Sequence, residues 1–182
     1  MGTWIKGSGE PFLDQAIVKR LLRYSKKTGE RIWRYRPEAR ANWNTRYAGR
    51  RAGSVWKAQP SDMTYRVIRI FDYPFFEHRL AILYVTGEWP INTVDHRDLD
   101  GENNKWRNLR QATTIQNCAN RGCNKNSQSG FKGVSLTPNG RYRATIQFNR
   151  KWRQVGTFDT AEQAAAAYRA EAIRLAGEFA RS

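Results

Sequence analysis

The chain holds 182 residues, with 32 Lys or Arg against 16 Asp or Glu, for a formal charge of +16. That length suffices for one or two small domains with real cores. A charge of that sign and size attracts polyanions, nucleic acid before anionic membrane. Two cysteines and two histidines exclude a disulfide framework and a four-thiolate zinc site.

The opening Met-Gly-Thr-Trp-Ile-Lys lacks the apolar core of a signal peptide, and no basic amphipathic helix or long apolar run follows. The expectation is a soluble, intracellular protein with no membrane role. From Asp14 to Pro37, the apolar residues Ile17, Val18, Leu21, Leu22, Ile32 and Trp33 flank the turn sequence Lys26-Lys27-Thr28-Gly29. This predicts a hairpin, with a short helix for its first limb as the rival. Residues 38–62 are rich in Arg, Asn, Gly and Ser and read as a loop held down by Trp43, Tyr47 and Trp56, or as a surface for nucleic acid. Tyr65 to Ile70 alternates as a strand, with Asp72-Tyr73-Pro74 as its turn. Leu80, Leu83 and Tyr84 then fall at helical spacing over 78–85, stopped by Gly87 and Pro90. His78 heads that helix and reads as a core or capping histidine rather than a metal ligand.

The chemistry concentrates in residues 91–121. Asn92 to His96 suits a short strand, Asp98 to Arg107 a polar loop, and Leu109 to Ala112 a second strand. Thr113 and Gln116 form a capping-box pattern that starts a helix at Thr114, with Asn117 in its first turn or so. Along this stretch Asp95, His96, Asn108 and Asn117 follow in an order that suits metal-assisted cutting of a phosphodiester bond. That reaction needs an activated water, neutralised phosphate charge and a stabilised leaving oxygen. A neutral His96 imidazole can take the water's proton. The Asp95 carboxylate and the Asn117 amide oxygen can hold a hard divalent cation, Mg2+ or Mn2+, with open positions for water and phosphate. Neighbours on a strand point to opposite faces, so joint action on one phosphate requires a bend directly after Val94. Arg97, Lys105 and Arg110 border the loop and are candidates for phosphate contacts. Cys118 and Cys123 read as reduced thiols near a helix end.

Val94-Asp95-His96, Asn104, Asn108-Leu109-Arg110 and Asn117 resemble the HNH nuclease motif, a ββα-metal fold of phage and homing endonucleases. The resemblance implies that His96 is the general base, that Asp95 and Asn117 are metal ligands, and that Asn108 ties the loop and positions the histidine. Many members carry His where this chain has Asn117, which favours magnesium or manganese over zinc. Gly49-Arg50-Arg51-Ala52-Gly53, His78-Arg79-Leu80-Ala81 and Thr86-Gly87-Glu88-Trp89-Pro90 resemble the lead-in of phage members, extending the similarity over most of residues 15–121.

Gly122 to Gly130 is small and polar and marks a linker or a DNA-tracking arm. Beyond it, Gly133 to Thr137 is a strand and Pro138-Asn139-Gly140 a turn. Tyr142, Ala144, Ile146 and Phe148 share one face of a second strand, and Arg141, Arg143, Thr145 and Gln147 the other. Asn149-Arg150 turns the chain into a third strand, Trp152 to Phe158, and an alanine-rich helix runs from Ala161 to Ala176, capped by Asp159 or Thr160 and ended by Gly177. Strict alternation would put Arg153 inward beside Val155, which predicts an edge strand or a bulge. Gly130-Phe131-Lys132-Gly133-Val134, Arg141 to Ile146 and Gly156 to Tyr168 resemble the plant ethylene-response-factor domain of the APETALA family. That resemblance implies a sheet lying in the DNA major groove, with Ser135, Arg141, Arg143, Thr145, Trp152 and Gln154 as candidate contacts and Gln147 beside them. Plant members usually have Arg near Ser135 and Trp near Gln154, so their target sequence does not transfer.

The expected fold is α+β: an N-terminal ββα-metal nuclease region (1–121, motif core 91–121) with added strands and a helix, a linker (122–129), and a C-terminal three-stranded antiparallel sheet on one helix (130–182). The expected function is nicking of double-stranded DNA in the cytoplasm of a bacterial host, from a phage or mobile element. The rival is a DNA-binding regulator that no longer cuts.

Overall fold

The computed structural model describes residues 13–59, 63–123, 127–148 and 151–180. The opening hexapeptide, the Asn149-Arg150 turn and residues 124–126 of the expected linker lie outside them. The fold is mixed α and β, with small antiparallel sheets and, among the described residues, five α-helices. Two compact units divide the chain, Met1–Gln111 and Ala112–Ser182.

In the first unit, α1 (Gln15–Leu21) starts on Asp14, whose carboxylate accepts from the Ile17 amide at 2.7 Å. It runs directly into β1 (Leu22–Tyr24), which pairs antiparallel with β2 (Arg31–Trp33). Helix and hairpin are therefore consecutive, not rivals. Val18 and Leu21 are buried at helical spacing, Leu22 and Tyr24 at strand spacing.

Residues 38–62 hold more order than a pinned loop. They form α2 (Ala41–Tyr47) and β3 (Ser54–Lys57). The helical run contains neither Gly nor Pro. Its Trp43 meets Trp33 edge-on at 5.5 Å, with the Arg36 guanidinium 3.5 Å from its ring centre. β3 pairs with β4 (Thr64–Ile70), and β4 with β5 (Tyr73–Phe76), both antiparallel. The turn falls at Phe71–Asp72, with φ of 51° and 67°, not at Asp72-Tyr73-Pro74. Ile70 pairs with Tyr73, so the hairpin loop is two residues with both φ positive, which matches the twist of its strands. Pro74 is accommodated because β5 is an edge strand.

α3 (Glu77–Thr86) ends on Gly87 at φ 88°. It packs Leu80 and Leu83 against α1 and β4, in a core that includes Val18, Leu21, Ile68 and Phe75. A second cluster joins Tyr24, Ala81, Ile82, Val94 and Leu109. It seats β6 (Thr93–His96), which pairs with β7 (Leu109–Ala112). The intervening loop closes with one 3-10 turn, Trp106–Asn108. The hairpin turn between β1 and β2 presses on this loop. Gly29 has φ +80°, and a Cβ there would lie 2.5 Å from the Asn104 carbonyl carbon and the Lys105 nitrogen.

In the second unit, α4 (Thr114–Ala119) carries a full capping box between Thr113 and Gln116. β8 (Val134–Leu136), β9 (Tyr142–Phe148) and β10 (Lys151–Phe158) form an antiparallel sheet in the order β10-β9-β8. α5 (Ala161–Ala176) covers it, capped by Thr160, while Asp159 instead pairs with Arg141 at 2.8 Å. Ala164, Tyr168 and Ala172 lie four residues apart on α5 and pack on Val134, Ala144 and Ile146. A bulge between Gln154 and Gly156 breaks the alternation of β10. Arg153 pairs with Ile146 on the helix side of the sheet yet stays exposed, its charge felt by Glu171 of α5.

Candidate active site

β6 delivers Asp95 and His96 side by side, and burial covers both, at 3% and 5% exposure. The two side chains take separate partners. Asp95 Oδ2 accepts from Arg110 Nε at 2.8 Å, an ion pair across the β6–β7 sheet with both members buried. Arg110, expected at the phosphate, is thus committed to the carboxylate next to the base. A buried Asp95 without that cation would carry a large desolvation cost.

His96 Nε2 lies 3.3 Å from Asn104 Oδ1. Its ring meets His78 edge-on at 5.1 Å, and Tyr65 lies at 6.2 Å. A ring on a polar loop reads from sequence as open to solvent. Here aromatic residues of β4 and α3 close over it. Burial pulls the His96 pKa below 6.5, although the bond to Asn104 and the charges of Asp98, Asp95 and Asp100 pull it back. The ring is neutral at pH 7, the form a base requires. His78 is lowered further, by burial first and then by His96, Arg79 and Arg31. His78 stacks on Phe76 at 5.3 Å, and its Nδ1 is buried with no hydrogen-bond partner among the described residues. It is a core histidine at the second position of α3.

Asn108 ties the loop at three points. Its Nδ2 donates to Asp98 Oδ1 at 2.9 Å and to the Asn103 carbonyl at 2.8 Å, and its Oδ1 accepts from the Asp98 amide at 3.2 Å. Asp98 also accepts from the Asp100 amide and from Asn103 Nδ2. Burial alone would raise the Asp98 carboxyl. The Asp100 amide, the Asn108 and Asn103 amides and His96 outweigh that and hold it below its usual value.

A residue without an assigned role from sequence sits at the centre. Asn104 is 1% exposed, donates from Nδ2 to Glu77 Oε2 and to the Glu102 carbonyl, both at 3.2 Å, and accepts on its own carbonyl from Tyr24 Oη at 2.7 Å. Burial pushes the Tyr24 pKa up to about 12, so the hydroxyl keeps its proton and its donor role. Glu77, fully buried at the start of α3, pairs with Arg31 at 3.0 Å and Arg66 at 3.1 Å, and Arg51 stands 4.0 Å away. Arg31 is equally buried and stacks on the Tyr24 ring at 4.3 Å. Nothing in the sequence joins Arg31, Glu77 and Asn104, which come from three separate elements. The only local sign is the doubled Asn103-Asn104.

Arg97 is exposed and Lys105 half-buried, both on the rim of the loop. Asn117 lies four residues past the Thr113 cap on α4, half-buried, in the second unit. Cys118 and Cys123 are exposed free thiols. On the sheet, Ser135 pairs with Arg143, Thr145 with Gln154 and Gln147 with Trp152, so these six side chains share the face away from α5. Trp152 is 70% exposed there. Arg141 precedes β9 at the rim, its guanidinium on Asp159 and the Thr157 carbonyl.

Comparison with known proteins places a family name on the first of these sites. Residues 75–119 match the HNH endonuclease family model. The HNH segment runs from the end of β5 through α3, β6, the loop, β7 and α4, and so contains Asp95, His96, Asn104, Asn108 and Asn117. The chain is also 37% identical over 105 residues to an uncharacterized HNH endonuclease of Acanthamoeba polyphaga mimivirus, covering 57% of this chain and 54% of that relative. It thus spans about half the length of the curated relative. No solved structure matches the chain. Among the described residues, no helix is long and apolar enough to cross a membrane.

Proposed function

We propose that this chain is a metal-dependent endonuclease that nicks double-stranded DNA, with His96 as general base. The carrying observation is that the HNH segment coincides with a buried, neutral His96 beside an Asp95 held by Arg110. Asp95 and Asn117 would hold a hard divalent cation, Mg2+ or Mn2+. The donor set fits: among the described residues no cluster of three or more His, Cys, Asp or Glu forms, so oxygen ligands and water are what the chain offers. Bound there, such an ion neutralises charge on the scissile phosphate and the leaving oxygen. His96 takes the proton of the attacking water, Asn108 keeps the loop in place, and Arg97 and Lys105 meet flanking phosphates. The outer face of the β8–β9–β10 sheet, in an APETALA-like domain over 130–182, reads the DNA through Ser135, Arg143, Thr145, Gln147, Trp152 and Gln154, with Arg141 at its edge. A bacterial host's cytoplasm is the proposed setting.

The deciding experiment is incubation with supercoiled plasmid. The intact chain is expected to yield open circles with Mg2+ and none after chelation. His96→Ala is expected to lose at least about 10²-fold in rate while DNA affinity stays within twofold, the usual scale of a lost general base. The burial of His96 favours a second reading, a chain that binds DNA without cutting. An intact chain that shifts DNA in a gel but never relaxes plasmid in Mg2+ or Mn2+ establishes that reading instead.

A further inference from the structure

We infer that Asn104, clamped by Glu77, fixes His96 in the tautomer protonated at Nε2 and thereby makes Nδ1 the atom that receives the water's proton. This rests on the nuclease reading for its consequence, but not for its geometry. The amide of Asn104 cannot be turned over. Its Nδ2 faces two acceptors, the Glu77 carboxylate and the Glu102 carbonyl, each at 3.2 Å. A flipped amide would set its oxygen against both and leave two buried acceptors unpaired, at a cost of about 1–3 kcal/mol each. The orientation is reinforced from the backbone side, where Tyr24 Oη donates to the Asn104 carbonyl at 2.7 Å and Gly29 leaves no room for the loop to shift.

With the amide fixed, Oδ1 faces His96 Nε2 at 3.3 Å. Oδ1 only accepts, so Nε2 must donate. A neutral imidazole with its proton on Nε2 carries its lone pair on Nδ1. In the reaction, a water O–H bond breaks and its proton bonds to Nδ1, leaving an imidazolium whose Nε2–H is still held by Asn104. The electron pair of the resulting hydroxide forms the new P–O bond, and the bond to the leaving oxygen breaks. Asn104 touches neither water nor phosphate and is a positioning residue.

The chain has two histidines, His78 and His96, so long-range 1H–15N spectra of the full-length protein show two ring systems, His78 serving as internal control. The wild-type spectrum is expected to show His96 in the Nε2–H form at pH 7.5. Asn104→Leu keeps a similar volume without the acceptor. It is expected to mix the two His96 tautomers, leave His78 unchanged, and lower kcat about 10²-fold with KM for plasmid within twofold. An Nδ1–H form in the wild type overturns the proposal, as does a leucine variant that keeps both tautomer and kcat. If that variant fails to fold, the wild-type spectrum alone decides. A wild-type chain with the Nε2–H form that never cuts plasmid supports the clamp and overturns the nuclease reading, so the two failures are distinct.

Discussion

At the scale of single residues, the two histidines carry a pH dependence of stability. Burial first, and then the charges of His96, Arg79 and Arg31, depress His78 well below 6.5, and burial depresses His96 as well. An unfolded chain takes up protons at both rings near 6.5, while the folded chain takes them up only at lower pH. The unfolded state therefore binds more protons as pH falls through that window, and stability falls with it. Full stability is present above about pH 7 and is lost downward from there, at no more than about 1.4 kcal/mol per pH unit for each ring. Denaturant unfolding of His78→Phe between pH 7 and 5 is expected to show a shallower slope than the wild type by up to one ring's share, because only His96 still titrates. An identical slope in the two proteins would show that His78 is not held neutral. The same residues show what sequence could reveal. Asp95, His96 and Asn108 announce themselves by order and spacing, because they sit on or between two short strands. Asn104 and Glu77 act through contacts with residues tens of positions away, and no local pattern encodes those.

At the scale of elements, local chemistry was legible wherever a cap or turn carried the information. The Thr113–Gln116 box, the Gly87 stop of α3 and the irregularity near Arg153 follow from side-chain type alone. α2 and β3 were not legible. Their residues are polar and half-exposed, and what orders them is the packing of Trp43 on Trp33 and the pairing of β3 with β4. The turn at Phe71–Asp72 was missed by one residue because Pro74 pointed past it, and an edge strand tolerates proline. The hairpin turn offers its own test. Gly29 combines a positive φ with backbone of the catalytic loop where a Cβ would stand. Gly29→Ala is expected to cost about 1–3 kcal/mol of stability from strain and overlap. Nicking should fall by more than that loss of folded protein explains, since the displaced atoms belong to Asn104 and Lys105. Parallel thermal melts and plasmid assays check this, and a fully active variant would show that the loop yields without consequence.

At the scale of the whole molecule, the charge of +16 makes DNA affinity steeply dependent on salt. On the outer sheet face, Arg143 lies mid-strand between Ser135 and Thr157, while Arg141 is already bonded to Asp159. Arg143→Ala is therefore expected to reduce sequence preference more than Arg141→Ala, by about 1–3 kcal/mol for a lost base contact. Competition gels with specific and random duplexes measure this, and equal effects, or none, would remove the sheet as the reader. One further consequence follows from the carboxylate at the head of α3. Arg31, Arg66 and the Asn104 amide converge on its two oxygens, with Arg51 close behind. Those ligands come from a hairpin, a sheet strand and a loop, so none of the three can be exchanged for a cousin's version in isolation. A graft that brings a foreign hairpin without its matching arginine strands a bare negative charge under the nuclease loop, and chimeras in this region succeed only when all the contributing segments travel together.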